Sequence, residues 1–384
     1  MKRICFVTTL SGTIKSFLLD LARHLVSEEG YDVTFICSDD ESMFQYTGDR
    51  IHYIPVKMKR GMSLDGFSAI WKLYRIFRKE RFNIVQYSTK NAGTYASVAS
   101  FLAGIKCRLY CQWGMMFVAL KGWKRLLLKW DEKLICGLST AIEVESFSIY
   151  NEAVKHRIYK PEKASVIWNG SACGVKLDAY ELSRKEEWRR EVREKFGIPE
   201  DAPVFGYCGR ITRDKGLNEL FEAFRQVADE NGAYLMIIGS YDNPKSIRQD
   251  LLEWAQQSSK VIFTGFTKEV PKHYSALDVF ASLSYREGFG LVVIEAAAME
   301  IPGIVTDVPG QRDTVIDGKT GILVPGRDVM HVVDAMKYYI GHREEAREMG
   351  KAARLRVETE FEQKELFRQL AEHRNHLIES PRLL

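Results

Sequence analysis

No run of about 18 apolar residues occurs in this 384-residue sequence, so no segment has the length to cross a bilayer as a helix. No Cys-x-x-Cys pair occurs. The seven cysteines (Cys5, Cys37, Cys107, Cys111, Cys136, Cys173, Cys208) are odd in number and scattered. That argues against a zinc knuckle or a disulfide framework and points to a reducing, cytoplasmic compartment. The first residues, MKRICFVTTLSGT, hold two basic residues but only a short apolar stretch. It alternates like a strand and lacks a small-residue cleavage site, so it reads as a first strand and not as a signal peptide. The Walker pattern G-x-x-x-x-G-K-[ST] is missing, which argues against an ATPase or GTPase. No helix-turn-helix, zinc finger or RNA-binding aromatic motif appears, so no nucleic-acid partner is expected. Internal repeats and low-complexity segments are also lacking. What remains is 46% hydrophobic and 28% charged, the composition of a globular protein of two or three domains at about 150 residues each.

The net charge of +4 conceals an asymmetry. Residues 51–133 hold 16 Lys/Arg against 4 Asp/Glu, a net +12. Such a lobe attracts an anionic partner: nucleic acid, an anionic membrane surface or a phosphorylated substrate. Within it, the segment 121–133 mixes Lys121, Lys124, Arg125, Lys129 and Lys133 with Trp123, Leu126, Leu127 and Trp130. As a helix it fits a membrane interface, with cations at headgroup level and aromatics below. The plainer alternative is a domain helix whose Leu and Trp pack inward.

Short β-rich runs alternate with helical stretches along the chain. Strands are expected at Ile4–Thr8, Asp32–Cys37, Asn83–Tyr87 and Val166–Trp168, with helices over 14–27 and 66–80. In the second half, strands are expected at Pro203–Cys208, Ala233–Ile238, Val261–Thr264, Val279–Leu283, Gly303–Thr306 and Ile322–Val324. Leu217–Asp229 carries a helical stripe, and a charged helix spans about 361–379. This alternation implies an α/β protein of two Rossmann-like parallel-sheet domains. The expected division is 1–167, 168–360 and a C-terminal helix, 361–384, that packs back on the first domain. The turn-rich joint Asn169–Gly174 marks the boundary.

Doubly wound sheets bind ligands beyond the carboxyl ends of their strands. Two loops in the second half hold unusual chemistry there. Gly209-Arg210-Ile-Thr-Arg-Asp-Lys215-Gly216 sets two cations around a glycine-flanked turn that opens a helix. Arg supplies a planar fork of donors and Lys a point charge, a combination suited to a diphosphate. The bland alternative is a basic surface loop. Glu287-Gly288-Phe289-Gly290 then permits close backbone approach before a helix beginning near Leu291. Glu295 falls about a turn inside that helix, too far along for an adjacent carboxylate dyad. The two acids are better placed to address two parts of one elongated ligand, since a carboxylate accepts hydrogen bonds from paired sugar hydroxyls.

These motifs, joined by Ile294-Glu-Ala-Ala-Ala, Ile301-Pro-Gly303 and Thr320-Gly-Ile-Leu-Val-Pro325, resemble those of retaining glycosyltransferases of the GT-B fold, family 4. The resemblance covers about 150 residues of the second half and is looser in the first. There Thr8–Leu19 and Asn169-Gly-Ser-x2-Gly174 are similar to bacterial capsule and lipopolysaccharide members. It implies two Rossmann-like domains facing a cleft, with acceptor bound by the first and nucleotide-sugar by the second. Arg210 and Lys215 would neutralise the diphosphate, and Glu287 would meet the donor sugar as the third catalytic residue. Gly209, Gly288, Phe289, Gly290 and Leu291 would line the donor. Glu295 would hold the ribose, Phe266 and Val270 would lie near the base, and Gly12 would approach the phosphate from the first half. The resemblance further implies a UDP-linked donor, an N-acetylhexosamine or deoxy-amino sugar. No metal cofactor is expected. The acceptor would be a polyprenyl-diphosphate-linked saccharide at the inner face of the cell membrane, with the basic first half peripheral on that anionic surface.

The chain departs from the family in two places. It lacks the histidines that many relatives carry after Ile84–Tyr87 and before Gly114. Lys90, Asn91 or Trp113 could fill that space against donor sugar or acceptor. The missing histidines also motivate a competing expectation, a silent nucleotide-binding scaffold. A sugar-nucleotide epimerase shares the fold.

Overall fold

A computed structural model describes residues 1–58, 65–241 and 246–379. The chain divides into two compact units. One comprises Met1–Cys173 and the segment from Lys364; the other is Gly174–Gln363.

The first unit is built on a seven-stranded sheet: β1 (Arg3–Val7), β2 (Asp32–Cys37), β3 (Ile51–Pro55), β4 (Ile84–Tyr87), β5 (Cys107–Gln112), β6 (Ala141–Val144) and β7 (Ala164–Val166). Their spatial order is β3-β2-β1-β4-β5-β6-β7, and every pairing is parallel. The second unit contains β8 (Val204–Cys208), β9 (Tyr234–Ile238), β10 (Val261–Gly265), β11 (Val279–Ser282), β12 (Gly303–Thr306) and β13 (Gly321–Val324). These run β10-β9-β8-β11-β12-β13, again all parallel. Each sheet is doubly wound. The winding reverses between β1 and β4 in the first unit and between β8 and β11 in the second, the places where such sheets bind ligands.

Parallel strands covered on both faces read as continuous apolar runs. All six residues of β2 and all four of β12 are buried. Three strands of the first unit were not expected from sequence: β3, β5 and β6. Arg108, Gln112 and Glu143 break the apolar run of the last two. The structure satisfies each of them. Arg108 donates to the Leu138 and Ile105 carbonyls at 2.6 Å, and Gln112 donates to Glu132 at 2.6 Å. β7 lies at Ala164–Val166 and stops at the first residue of the expected Val166–Trp168, ahead of Trp168 at φ +51°. The first helix starts at Ser11, before the expected residue 14, and contains a π-helical turn over Ile14–Leu18 before Leu19–Ser27.

The C-terminal helix Gln363–Glu379 belongs to the first unit. Leu366, Phe367, Leu370 and Leu377 enter the core layer that also holds Leu18 and Leu25. Arg374 on this helix is fully buried. It donates to Gln86 of β4 at 2.7 Å and to Glu143 of β6 at 3.1 Å. Burial pushes the Glu143 carboxyl up, but Arg374 and His373 outweigh it and hold the group at about 2.

Candidate functional site

The two charged loops of the second unit follow β8 and β11 directly and therefore meet at its switch point. Lys215 Nζ lies 2.5 Å from Glu287 Oε1, and Ser284 donates to the same oxygen at 2.7 Å. Residues 72 apart in sequence thus form one ion pair at the carboxyl edge of the sheet. Arg210, exposed on the first loop, has its carbonyl fixed by the Tyr207 hydroxyl at 2.7 Å. Asp214 ties the loops together. Its carbonyl accepts from the Tyr285 amide at 2.9 Å, and its carboxylate sits 3.7 Å from Arg286. Burial raises the Asp214 carboxyl, but the Thr212 hydroxyl and the charges of Arg286, Lys215 and Arg210 outweigh it and hold it below the ordinary range.

Two glycines let the backbones close this far. Gly216 sits at φ +77°, and a Cβ there would lie 2.1 Å from the Leu283 carbonyl oxygen. Gly310, at φ +88°, presses on the Glu287 and Gly288 carbonyls, where a Cβ would come within 2.5 and 2.6 Å. Any other residue at either position would force the loops apart.

Glu295 lies on the helix Leu291–Ala297, capped by Gly290 at φ +105°. Burial pushes its carboxyl up to about 7, opposed only by a long contact of 3.5 Å from the Tyr274 hydroxyl. Phe289 is buried against Phe361, with ring centroids 5.3 Å apart, so only its backbone faces the loop. Leu291 packs partly into the same core layer. In the segment after β10, Phe266 is 75% exposed while Val270 begins the helix Val270–Ser275 and packs inward.

The predicted residues of the first unit also gather at its switch point. Gly12 follows β1 with open space around it. Lys90 and Asn91 open the helix Lys90–Leu102 after β4. The two loops are tied by a 2.9 Å hydrogen bond between the Thr9 and Thr89 hydroxyls, with Thr89 at φ +67°. Trp113 follows β5 and packs on Phe17 of the π-helical turn, ring centroids 5.4 Å apart. Lys90 Nζ lies 3.9 Å from Asp131, which accepts from Thr94 at 2.9 Å.

Sequence reasoning missed several supporting groups. Within the basic helix, the sequence does not mark Asp131 and Glu132 as site residues. Glu132 is buried, accepts from Gln112 and Tyr110, and is pushed by burial to about 7. Ser284, Asp214 and the Gly310–Gln311 turn were also missed. Gln311 donates to the Ser282 carbonyl, and Thr306 to that of Ser284 at 2.7 Å. Their position directly after strands was the available signal. A cavity of about 330 Å³ lies at the opposite edge of the second sheet, where β8 and β11 begin. Within it Arg189 pairs with Asp278 at 2.7 Å and Lys185 with Glu300 at 3.0 Å, and none of the predicted residues line it. Among the described residues, no group of three or more His, Cys, Asp and Glu is placed to hold a metal ion.

Comparison with known proteins matches both units. Residues 14–171 match the family described as Glycosyltransferase Family 4, and residues 189–356 match Glycosyl transferases group 1. The chain is 29% identical over 374 residues to a capsular polysaccharide biosynthesis glycosyltransferase, CapM, of Staphylococcus aureus, covering 96% of each chain. It is 23% identical to an Escherichia coli UDP-Gal:alpha-D-GlcNAc-diphosphoundecaprenol alpha-1,3-galactosyltransferase, covering 85% of this chain and 84% of that one. Among solved structures, a glycosyltransferase of Rickettsia africae superposes with a TM-score of 0.81 at 18% identity, covering 98% of each chain. Anabaena HepE in complex with UDP-glucose superposes at 0.79 and 17%, covering 98% of this chain and all of that one. With two doubly wound sheets, charged loops at the second sheet's switch point and these matches across both units, the chain belongs to the GT-B glycosyltransferases of family 4.

Proposed function

We propose that this enzyme transfers a sugar from a UDP-sugar to a saccharide on a polyprenyl-diphosphate carrier, with retention at the anomeric carbon, in the assembly of a bacterial surface polysaccharide. The observation that carries this reading is the Lys215–Glu287 ion pair at the switch point of the second sheet. It holds a cation where a nucleotide diphosphate would lie. Arg210 and Lys215 would draw the diphosphate in and stabilise the charge that grows on it as the sugar departs. Glu287, released from full pairing with Lys215, would accept from donor-sugar hydroxyls. Glu295 would accept from the ribose, and the exposed Phe266 ring is available to the base.

In this scheme the C1–O bond to the β-phosphate breaks and a new C1–O bond forms on the same face. The acceptor hydroxyl proton passes to the departing phosphate oxygen. No enzymic nucleophile is needed. The S. aureus relative's name supports a role in capsule assembly, and the E. coli relative's name supports a diphosphoundecaprenol-linked acceptor. Such an acceptor places the work at the membrane surface.

The test is a thermal-shift panel of UDP-N-acetylhexosamines, UDP-galactose, UDP-glucose and non-uridine nucleotide-sugars, with and without chelator, followed by transfer assays on a lipid-linked saccharide. A UDP-sugar should raise the melting temperature with chelator present. Lys215→Ala should cost about 2–4 kcal/mol in kcat/KM. Near-normal turnover of that variant, or no shift with any nucleotide-sugar, overturns the proposal.

A further inference from the structure

We propose that the outward face of the helix Gly122–Leu138, together with Phe67 and Trp71 of the helix Asp65–Glu80, seats the first unit on an anionic lipid bilayer. The choice of lipid as partner rests on the lipid-linked acceptor proposed above; the surface itself stands on the following observations.

The helix Gly122–Leu138 is apolar on two opposite faces. Ile135, Cys136 and Leu128 pack into the core. Trp123, Leu126, Leu127, Trp130 and Leu134 are exposed, the two tryptophans by 70% and 69%. At 100° per residue these five fall within an arc of about 100°, directly opposite the buried face. Single exposed apolar residues are ordinary, but five on one stripe make a patch that marks an interaction surface. The inward-packing alternative for these side chains is thereby excluded.

The charge on this helix is sorted as well. Lys124, Lys129 and Lys133 flank the stripe, while Arg125 stands at the start of the helix on its other side. Lys124 lies over the Trp123 ring at 5.8 Å and Lys133 over the Trp130 ring at 5.7 Å. Of its two acids, Glu132 faces inward to Gln112 and Tyr110, and Asp131 is turned sideways onto Thr94 and Lys90. The outward face therefore presents cations and aromatics with no carboxylate. Protein interfaces are depleted in Lys, whereas an interfacial helix combines Trp and Leu below with Lys and Arg at the headgroups.

A second helix repeats the pattern. Phe67 is 75% exposed and Trp71 56%, with Arg75 over the Trp71 ring at 4.7 Å. Leu73 and Phe77 of this helix share one core layer with Ile135 and Cys136, so both helices cover the same face of the sheet. A helix that connects parallel strands runs back against them, so its first half lies toward their carboxyl ends. Phe67, Trp71, Trp123, Leu126, Leu127 and Trp130 all occupy first halves. The patch thus lies toward the edge that carries Gly12, Lys90 and Trp113. Seated this way, the unit turns that edge to the lipid surface. The Asp131–Lys90 contact ties the docking helix to it.

The test is co-sedimentation of the full chain with vesicles of phosphatidylethanolamine and phosphatidylglycerol, and with vesicles of phosphatidylcholine alone. Quenching of tryptophan emission by brominated lipid reports insertion. The wild type should bind the anionic vesicles, less at high salt. Trp123→Ser with Trp130→Ser, Phe67→Ser with Trp71→Ser, and Lys124→Glu with Arg125→Glu and Lys129→Glu should each bind about tenfold or more weakly. All three should keep the wild-type melting temperature and nucleotide-sugar shift. Variants that bind as well as wild type, equal binding to phosphatidylcholine, or a dimer in vesicle-free solution that the same substitutions dissolve would overturn the proposal. Vesicle binding without transfer to any lipid-linked saccharide would instead remove the acceptor reading and leave the docking surface standing.

Discussion

The two sheets share one winding, with the same order of their first six strands, yet their switch points are furnished differently. The second unit places an ion pair, several cations and glycines that press backbone against backbone there. The first places threonines, a π-helical turn and a tryptophan packed on a phenylalanine. Its cations lie instead along helices flanking exposed aromatics. Topology sets where a ligand goes, and loop composition sets what it is. A dense, rigid cationic loop suits a small dianion. A broad basic and aromatic face suits an extended anionic surface.

That contrast can be broken at its supports. The largest effect is expected from Arg374→Met, which leaves the largely buried Glu143 carboxylate with His373 and the Cys111 thiol. Removing one partner of a buried pair should cost about 3–5 kcal/mol. Because the loss falls in the first unit, the melting curve should drop while the nucleotide-sugar shift persists. Loss of both together would show that the units do not keep separate roles.

Next come two glycines. Gly216→Ala must hold φ +77° and meet the Leu283 oxygen, at a cost of about 2–3 kcal/mol. Gly12→Ala meets nothing and should change stability by less than about 0.5 kcal/mol. Denaturant melts of the pair check this; equal losses would erase the distinction between a pressed loop and an open one.

The effect that is sharpest in pH is that of Glu295→Gln. Burial raises this carboxyl to about 7, above its unfolded value, so the folded protein holds the extra proton. Stability therefore falls as pH rises from about 4.5 through about 7. The amide removes that slope and should stabilise the protein near pH 8 by on the order of 2 kcal/mol. It should also weaken UDP-sugar binding. In the wild type, donor affinity should decline below about pH 7, as the protonated carboxyl loses its capacity to accept two hydroxyls. Melting temperatures and binding constants measured across that range decide the point.

The second unit was more legible than the first. Its strands are plain apolar runs, and its site residues are charged or glycine within short loops after strands, so pattern and position agree. In the first unit, β5 and β6 carry Arg108, Gln112 and Glu143. A polar residue in a central strand is tolerated only when a partner satisfies it; for Arg108 these are the Ile105 and Leu138 carbonyls, for Gln112 residue 132 and for Glu143 residue 374. Local pattern holds no trace of them. The same applies to Asp131 and Glu132, whose orientation depends on which side of the helix the sheet covers.

By itself the sequence determined the α/β alternation, the placement of Gly209–Gly216 and Glu287–Glu295 after strands, and the basic excess of the first half. All of these are local properties of spacing, propensity and charge. Tertiary structure alone decided that Lys215 meets Glu287 across 72 residues, that Glu295 loses water and titrates near 7, and that Trp123 and Trp130 face outward. These depend on which surfaces come into contact. Contact between distant segments is set by how whole elements pack, and no window of sequence contains it.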